Sequence, residues 1–286
     1  MSFHNDNKTA LDAKSSRQSK KDKIPKIFIN KPYKSYCVFI NIDIIVTEIE
    51  LKGLNAMEVS PFYEKNIECM HCKKSFPTLK VRTKSIKIDY TEADFQPIYA
   101  DDHVNALYYN VFVCQHCGFS FTEDFNKYFA PGVKEILEEQ VCKKWIPHNF
   151  KGERTIFDAI SSYKLAFLCA TIKKEKFVIT SGLSLRLAWL YRSLKNDGQE
   201  KRFLKLARDY YMESFSNADY ASTQMSDVRI MYMIAELSRR LEDYENATRF
   251  FSRVIESQRT GGEAKLVEMA KQQWELVRAA REQVTQ

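Results

Sequence analysis

Two Cys-x-x-Cys pairs, Cys69-Met-His-Cys72 and Cys114-Gln-His-Cys117, constrain this chain more than any other feature of it. Such a pair presents two thiolates along one edge of a tetrahedron. Two pairs complete the four-sulfur sphere that zinc takes, with Zn–S bonds of ~2.3 Å. A catalytic zinc keeps three protein ligands and one open position, so a filled sphere points to a single structural zinc held by Cys69, Cys72, Cys114 and Cys117. A redox role would call for one solitary pair in a thioredoxin-like setting, which this chain does not offer. The 41 residues between the pairs exceed the spacer of compact zinc modules, so a hairpin with an insert is expected.

The remaining cysteines fit the same picture. Seven is an odd number, only four are regularly spaced, and the opening residues carry no apolar signal core. Metal-bound thiolates in a reducing cytoplasm are the expectation. Cys142 and Cys169 sit among apolar residues of helical pattern and read as core. His71 and His116, inside the two turns, could replace a thiolate as ligands but read as exposed turn residues. The best apolar run, Val38 to Thr47, is interrupted by Asn41 and Asp43 and is too short to span a bilayer. No membrane association is expected.

Charge divides unevenly. Residues 1–56 hold 10 Lys/Arg against 6 Asp/Glu, residues 57–150 hold 11 against 13, and residues 151–286 hold 23 against 18. The cysteine-bearing section is therefore acidic, and a thiolate-bound zinc makes it more so. Phosphate binding would want the opposite sign there, which weighs against a nucleic-acid ligand, although the basic C-terminal half keeps that alternative open.

Four sections follow. Residues 1–56, polar and Lys-rich with a strand-like stretch at 36–51, read as a disordered or non-family extension that includes Cys37, and a cleaner start stands at Met57. Residues 57–130 read as a zinc-ribbon-like β module, with strands expected at Lys80–Tyr90 and Leu107–Val113. Between them Thr91–Asn105 reads as a polar loop whose Asp94, Asp101 and Asp102 are solvated, as is Asp124. Residues 131–154 read as a linker around Trp145-Ile-Pro147 and Lys151-Gly152. Residues 155–286 carry helical periodicity at 155–173, 181–196, 199–216, 225–242, 244–257 and 263–283.

The helices repeat a triplet. Ala159, Tyr163 and Ala166 return as Ala207, Tyr211 and Ser214, then as Ala247, Phe251 and Val254, at intervals of 48 and 40 residues. The tetratricopeptide (TPR) interval is ~34, so a TPR-like but irregular α-helical solenoid is expected. Leu241-Glu-Asp-Tyr-Glu-Asn-Ala247 is very like the turn and second-helix start of a TPR unit. The fold class is thus α+β, a small zinc-ribbon-like β module followed by a TPR-like α-helical solenoid.

The combination of Cys69-Met-His-Cys72, Lys80-Val-Arg82, Asp94-Phe95, Leu107-Tyr-Tyr109, Val113-Cys-Gln-His-Cys-Gly118, Asp124-Phe125 and Gly182-Leu-Ser-Leu-Arg-Leu-Ala-Trp-Leu-Tyr-Arg192 resembles the bacterial domain-of-unknown-function family numbered 2225. The resemblance covers roughly residues 57–257. It implies a zinc-ribbon-like start followed by TPR-like helices, and it implies no settled activity. This chain has Met70 and Gln115 where the family often has Pro, and Lys73 where Gly is usual. No ligand is lost by these departures.

Enzyme signatures are missing: no Gly-rich phosphate loop, Gly-x-Ser-x-Gly elbow or His-Glu-x-x-His helix occurs. An enzyme would have to assemble a dispersed site around the 91–105 loop, with Asp94, His103 and Asp124 as the groups to watch. The leading expectation is a non-enzymatic zinc-binding adaptor with a protein partner. Arg186, Arg192, Arg229, Arg239 and Arg240 fall on first helices of the TPR-like units, where bidentate guanidinium groups could grip carboxylates of an acidic segment.

Overall fold

Among the described residues, three short antiparallel hairpins precede seven α-helices in a mixed α+β arrangement. The computed structural model describes residues 59–284 except Asp102. Residues 1–56 with Cys37, the starting point at Met57, and Asp102 thus lie outside the described residues. Everything described belongs to one compact unit.

The first hairpin pairs β1 (Phe62–Glu68) with β2 (Ser75–Val81), and its turn carries Cys69 and Cys72. The second pairs β3 (Ile88–Thr91) with β4 (Pro97–Tyr99). The third pairs β5 (Phe112–Val113) with β6 (Ser120–Phe121) around Cys114 and Cys117. Two strand expectations are corrected here. Lys80–Tyr90 is broken by a single 3-10 turn at Thr83–Ser85, so only its ends are strands. Leu107–Tyr109 lies in a 3-10 turn, because the Asn105 side chain accepts from Leu107 N at 3.0 Å and starts a turn before β5 begins.

Residues 131–154 are folded rather than extended. They form α1 (Val133–Gln140) and bury Val133, Leu137, Val141, Phe150 and Arg154. Among the described residues Arg154 has no ion pair and is held by carbonyls, donating from Nη1 to Tyr108 O at 3.0 Å and Val111 O at 2.8 Å. Its burial lowers its pKa to about 10. Its own backbone N–H bonds Tyr109 Oη at 3.0 Å, and Tyr163 Oη donates to Leu107 O at 3.1 Å. The β region, the connecting segment and the first long helix therefore share one core.

The long helices are α2 (Ile156–Lys173), α3 (Phe177–Ser193), α4 (Asp197–Asn217), α5 (Asp227–Arg240), α6 (Tyr244–Glu256) and α7 (Ala264–Val284). Side-chain caps set several starts: Thr155 and Asp158 form a capping box for α2, while Asn196, Ser226 and Asp243 accept from N–H groups of α4, α5 and α6. Tight turns join α3 to α4 and α5 to α6, with Lys195 and Glu242 in the left-handed region. The pairs α3–α4 and α5–α6 pack most extensively. All nine residues of the repeated triplet are buried, on α2, α4 and α6. Small residues at the contact let neighbouring helices close up, and the aromatic fills the space between them. No described helix is long and apolar enough to cross a membrane.

Candidate metal centre and arginine groove

The two cysteine turns are built alike. In the first, Lys73 N donates to Cys69 O at 3.0 Å and Cys69 N to Lys74 O at 3.0 Å. In the second, Gly118 N donates to Cys114 O at 2.8 Å and Cys114 N to Phe119 O at 3.0 Å. Both turns end in the left-handed region, Gly118 at φ 72° and Lys73 at φ 64°. Glycine suits such a position because it has no Cβ to clash, and the departure at Lys73 keeps the conformation at a cost of about 1 kcal/mol. Gly118 has a second constraint: a Cβ there would lie 2.5 Å from the Trp145 ring. That indole donates from Nε1 to Gln115 O at 3.0 Å, tying the second turn to the segment after α1.

The turns bring four sulfurs together, all within 4.8 Å of one another. Cys69 Sγ lies 3.6 Å from Cys117 Sγ, and Cys72 Sγ lies 3.7 Å from Cys114 Sγ. Tetrahedral zinc with its usual Zn–S bonds spaces sulfurs by about 3.8 Å, so the donor set fits one structural metal ion. Cys69, Cys114 and Cys117 are buried, with Phe76, Phe112, Phe119 and Phe121 in the same core. Mutual hydrogen bonding among the thiols drives the Cys114 pKa down and pushes those of Cys69 and Cys117 up, with burial adding to the rise. A cation at the centre would bind all four as thiolates.

Of the other titratable residues near the turns, His71 and Cys142 depart from their sequence reading, while Cys169 and His116 keep it. His71 is half-buried, stacked on Phe119 with ring centroids 5.9 Å apart. Cys142 opens a 3-10 turn after α1, half-buried rather than in the core, and its Sγ lies 3.7 Å from His71 Nδ1. Cys169 is fully buried and accepts from Ser120 N at 3.4 Å. His116 is exposed.

The five arginines lie on α3 and α5, and the structure shows what each holds. Arg192 Nη2 lies 2.8 Å from Asp94 Oδ2, Arg192 Nη1 3.2 Å from Glu92 Oε2, and Arg192 Nε 2.7 Å from Glu200 Oε1. Arg240 Nη2 lies 2.8 Å from Glu92 Oε2 and 3.6 Å from Asp94 Oδ1, and its Nε lies 2.8 Å from Glu236 Oε1. Arg239 pairs with the same Glu236 at 2.8 Å. Arg229 lies over the Phe95 ring, 4.4 Å from its centroid. Arg186 donates to Gly182 O of its own helix at 3.1 Å and has no ion pair among the described residues.

The groove between α3 and α5 is therefore filled by residues 92–96 of this same chain. Trp189 Nε1 donates to Asp94 Oδ2 at 3.1 Å, and Tyr232 Oη donates to Ala93 O at 2.9 Å. Phe95 takes φ 66° to turn its ring toward Arg229 and Tyr232. The expectation of a solvated Asp94 is corrected: its residue is fully buried. Burial opposes its ionisation, but the Arg192 hydrogen bond and the Arg240 and Arg192 charges outweigh burial and hold its pKa below the ordinary value. Sequence reasoning missed this arrangement because a carboxylate's partner a hundred residues away leaves no local pattern.

The dispersed acid–base set is not assembled. Asp94 is locked under Arg192, and the His103 ring lies 3.1 Å from Asp101 O beside a shallow cavity of its own. Asp101 and Asp124 are exposed as expected, and Asp124 lines a different cavity of about 450 Å³ with Gly182, Arg186 and Tyr211.

Comparison with the curated proteins found no match, and comparison with solved structures found none. A family profile described as uncharacterized protein conserved in bacteria (DUF2225) matches residues 62–277, about three quarters of the chain, from the first strand to the last helix and across both cysteine turns. The chain belongs to the bacterial DUF2225 family.

Proposed function

We propose that this protein is a non-enzymatic zinc-binding adaptor or scaffold of a reducing cytoplasm, in which a zinc-ribbon-like module and TPR-like helices together present a protein-binding surface. The closed four-cysteine set carries the reading, since four thiolates around zinc leave no position for an activated water. Arg192, Arg239 and Arg240 are ion-paired within the chain and Arg229 covers the Phe95 ring, so the partner-binding role among the arginines falls to Arg186. Its cavity of about 450 Å³ mixes apolar Val178, Ile179, Leu183 and Met225 with Asp124, Tyr211 and Ser222. That mixture suits a short segment carrying one carboxylate and one apolar anchor.

The test is affinity purification of the full chain beside its Arg186→Ala variant, with elemental analysis of both. Zinc in both samples, with a protein companion that the variant loses, is the expected result. A companion removed by nuclease and by moderate salt would replace this reading with a nucleic-acid one. A chain without zinc would remove its basis.

A further inference from the structure

Beside the four-cysteine centre lies a second donor set that the two cysteine turns do not account for. His71, Cys117 and Cys142 each place one ligand atom within 4.8 Å of the others. They come from three separate segments: the first cysteine turn, the second, and the turn after α1. We propose that these residues hold a second divalent metal ion of the zinc class, sharing the Cys117 thiolate with the first in a thiolate-bridged pair. The inference rests on the zinc reading above and extends it.

The imidazole is oriented for this role. His71 Nε2 faces Lys134 O at 3.4 Å, and a carbonyl can only accept, so Nε2 carries the ring proton. Nδ1 is then the unprotonated nitrogen, and it faces Cys142 Sγ at 3.7 Å. A backbone carbonyl fixing the tautomer of a ligating histidine is a recurrent support of metal sites. The ring cannot swing freely, with Phe119 stacked at 5.9 Å and Phe129 edge-on at 6.3 Å. A tetrahedral metal with ordinary bond lengths spaces a nitrogen and a sulfur ligand by about 3.6 Å, which the His71–Cys142 edge matches.

Charge favours the second ion. One zinc on four thiolates leaves a net −2 in a largely buried place. A second dication that displaces the Cys142 thiol proton to solvent brings one more thiolate and leaves the pair at −1.

The experiment is a metal count on the full chain, equilibrated with zinc chloride and freed of loose ion by gel filtration. Two zinc per chain in the native protein, falling to one in Cys142→Ser and in His71→Phe, is the expected result. Phenylalanine keeps the stack on Phe119 while removing the nitrogen. Titration with cobalt(II) in place of zinc should show thiolate charge-transfer absorbance that breaks at two equivalents, and at one in each variant. One metal in the native chain overturns the second site and leaves the first standing, whereas none overturns both. Should a variant fail to fold, the native break point decides alone.

Discussion

Arg192 and Asp94, 98 residues apart in sequence, meet at 2.8 Å with the carboxylate fully buried and the indole of Trp189 on the same oxygen. The pair sits in a network with Glu92, Glu200, Glu236, Arg239 and Arg240 that joins the β region to α3 and α5. Desolvation makes such a network costly to assemble, and removing one partner is costlier still.

Asp94→Asn should therefore lower stability by about 3 kcal/mol, since it leaves Arg192 and Arg240 facing a neutral amide in a buried place. Urea unfolding at neutral pH measures it. A change below about 0.5 kcal/mol would mean that solvent compensates the arginines.

The same pair carries a pH signature. The folded Asp94 pKa lies below its ordinary value, so ionised Asp94 stabilises the fold above about pH 4, and this contribution is lost as pH falls through the folded pKa. The stability gap between native protein and Asp94→Asn should be constant from pH 7 to about 5 and shrink below about 4. Paired urea titrations across that range check this, and a gap that widens in acid would contradict it.

Cys114→Ser removes a central thiolate. Structural zinc contributes roughly 10–16 kcal/mol of apparent binding energy in zinc-finger peptides, comparable with the whole stability of many domains. The variant, and the native chain after exhaustive chelation, should each lose at least about 10 °C in Tm. Calorimetry with and without zinc measures it, and an unchanged transition would show that the aromatic core holds the turns unaided.

The two turn ends predict opposite signs. Gly118→Ala puts a Cβ into the Trp145 ring at a positive φ and should cost about 2–4 kcal/mol. Lys73→Gly relieves a left-handed lysine and should gain about 0.5–1 kcal/mol, the lost Lys73–Glu68 contact being exposed and weak. Thermal unfolding of both variants tests whether the turns are equivalent.

How much was legible in the sequence follows from where the information lies. The long helices were readable to within a few residues because periodicity and caps are local, although α3 begins at Phe177, ahead of the expected 181. The four clustered cysteines were readable because metal-site chemistry demands a fixed spacing. The hairpin of β1 and β2 was not, since Phe62–Glu68 exposes most of its residues on a two-stranded ribbon and shows no alternation. Helix α1 falls inside the expected 131–154 linker, because only Val133 and Leu137 are buried along its eight residues, too few to bound a period. The arginines were seen and their occupant was not. A tethered segment reaches them at an effective concentration that no free acidic peptide matches, yet its sequence says nothing of where it docks.

The plug at residues 92–96 also bears on where this chain can be divided. The expected linker begins at residue 131, which marks that point as a place to cut. It would strand Arg192, Arg239 and Arg240 with Glu200 and Glu236 as their carboxylates, and it would take from Arg154 the carbonyls of Tyr108 and Val111. Helices freed in this way would keep their periodicity and lose two of the four carboxylates, Glu92 and Asp94, that face the arginines of their groove. In amide exchange, the buried face of α5 and the 92–96 backbone should open together, as one foldon drawn from opposite ends of the chain.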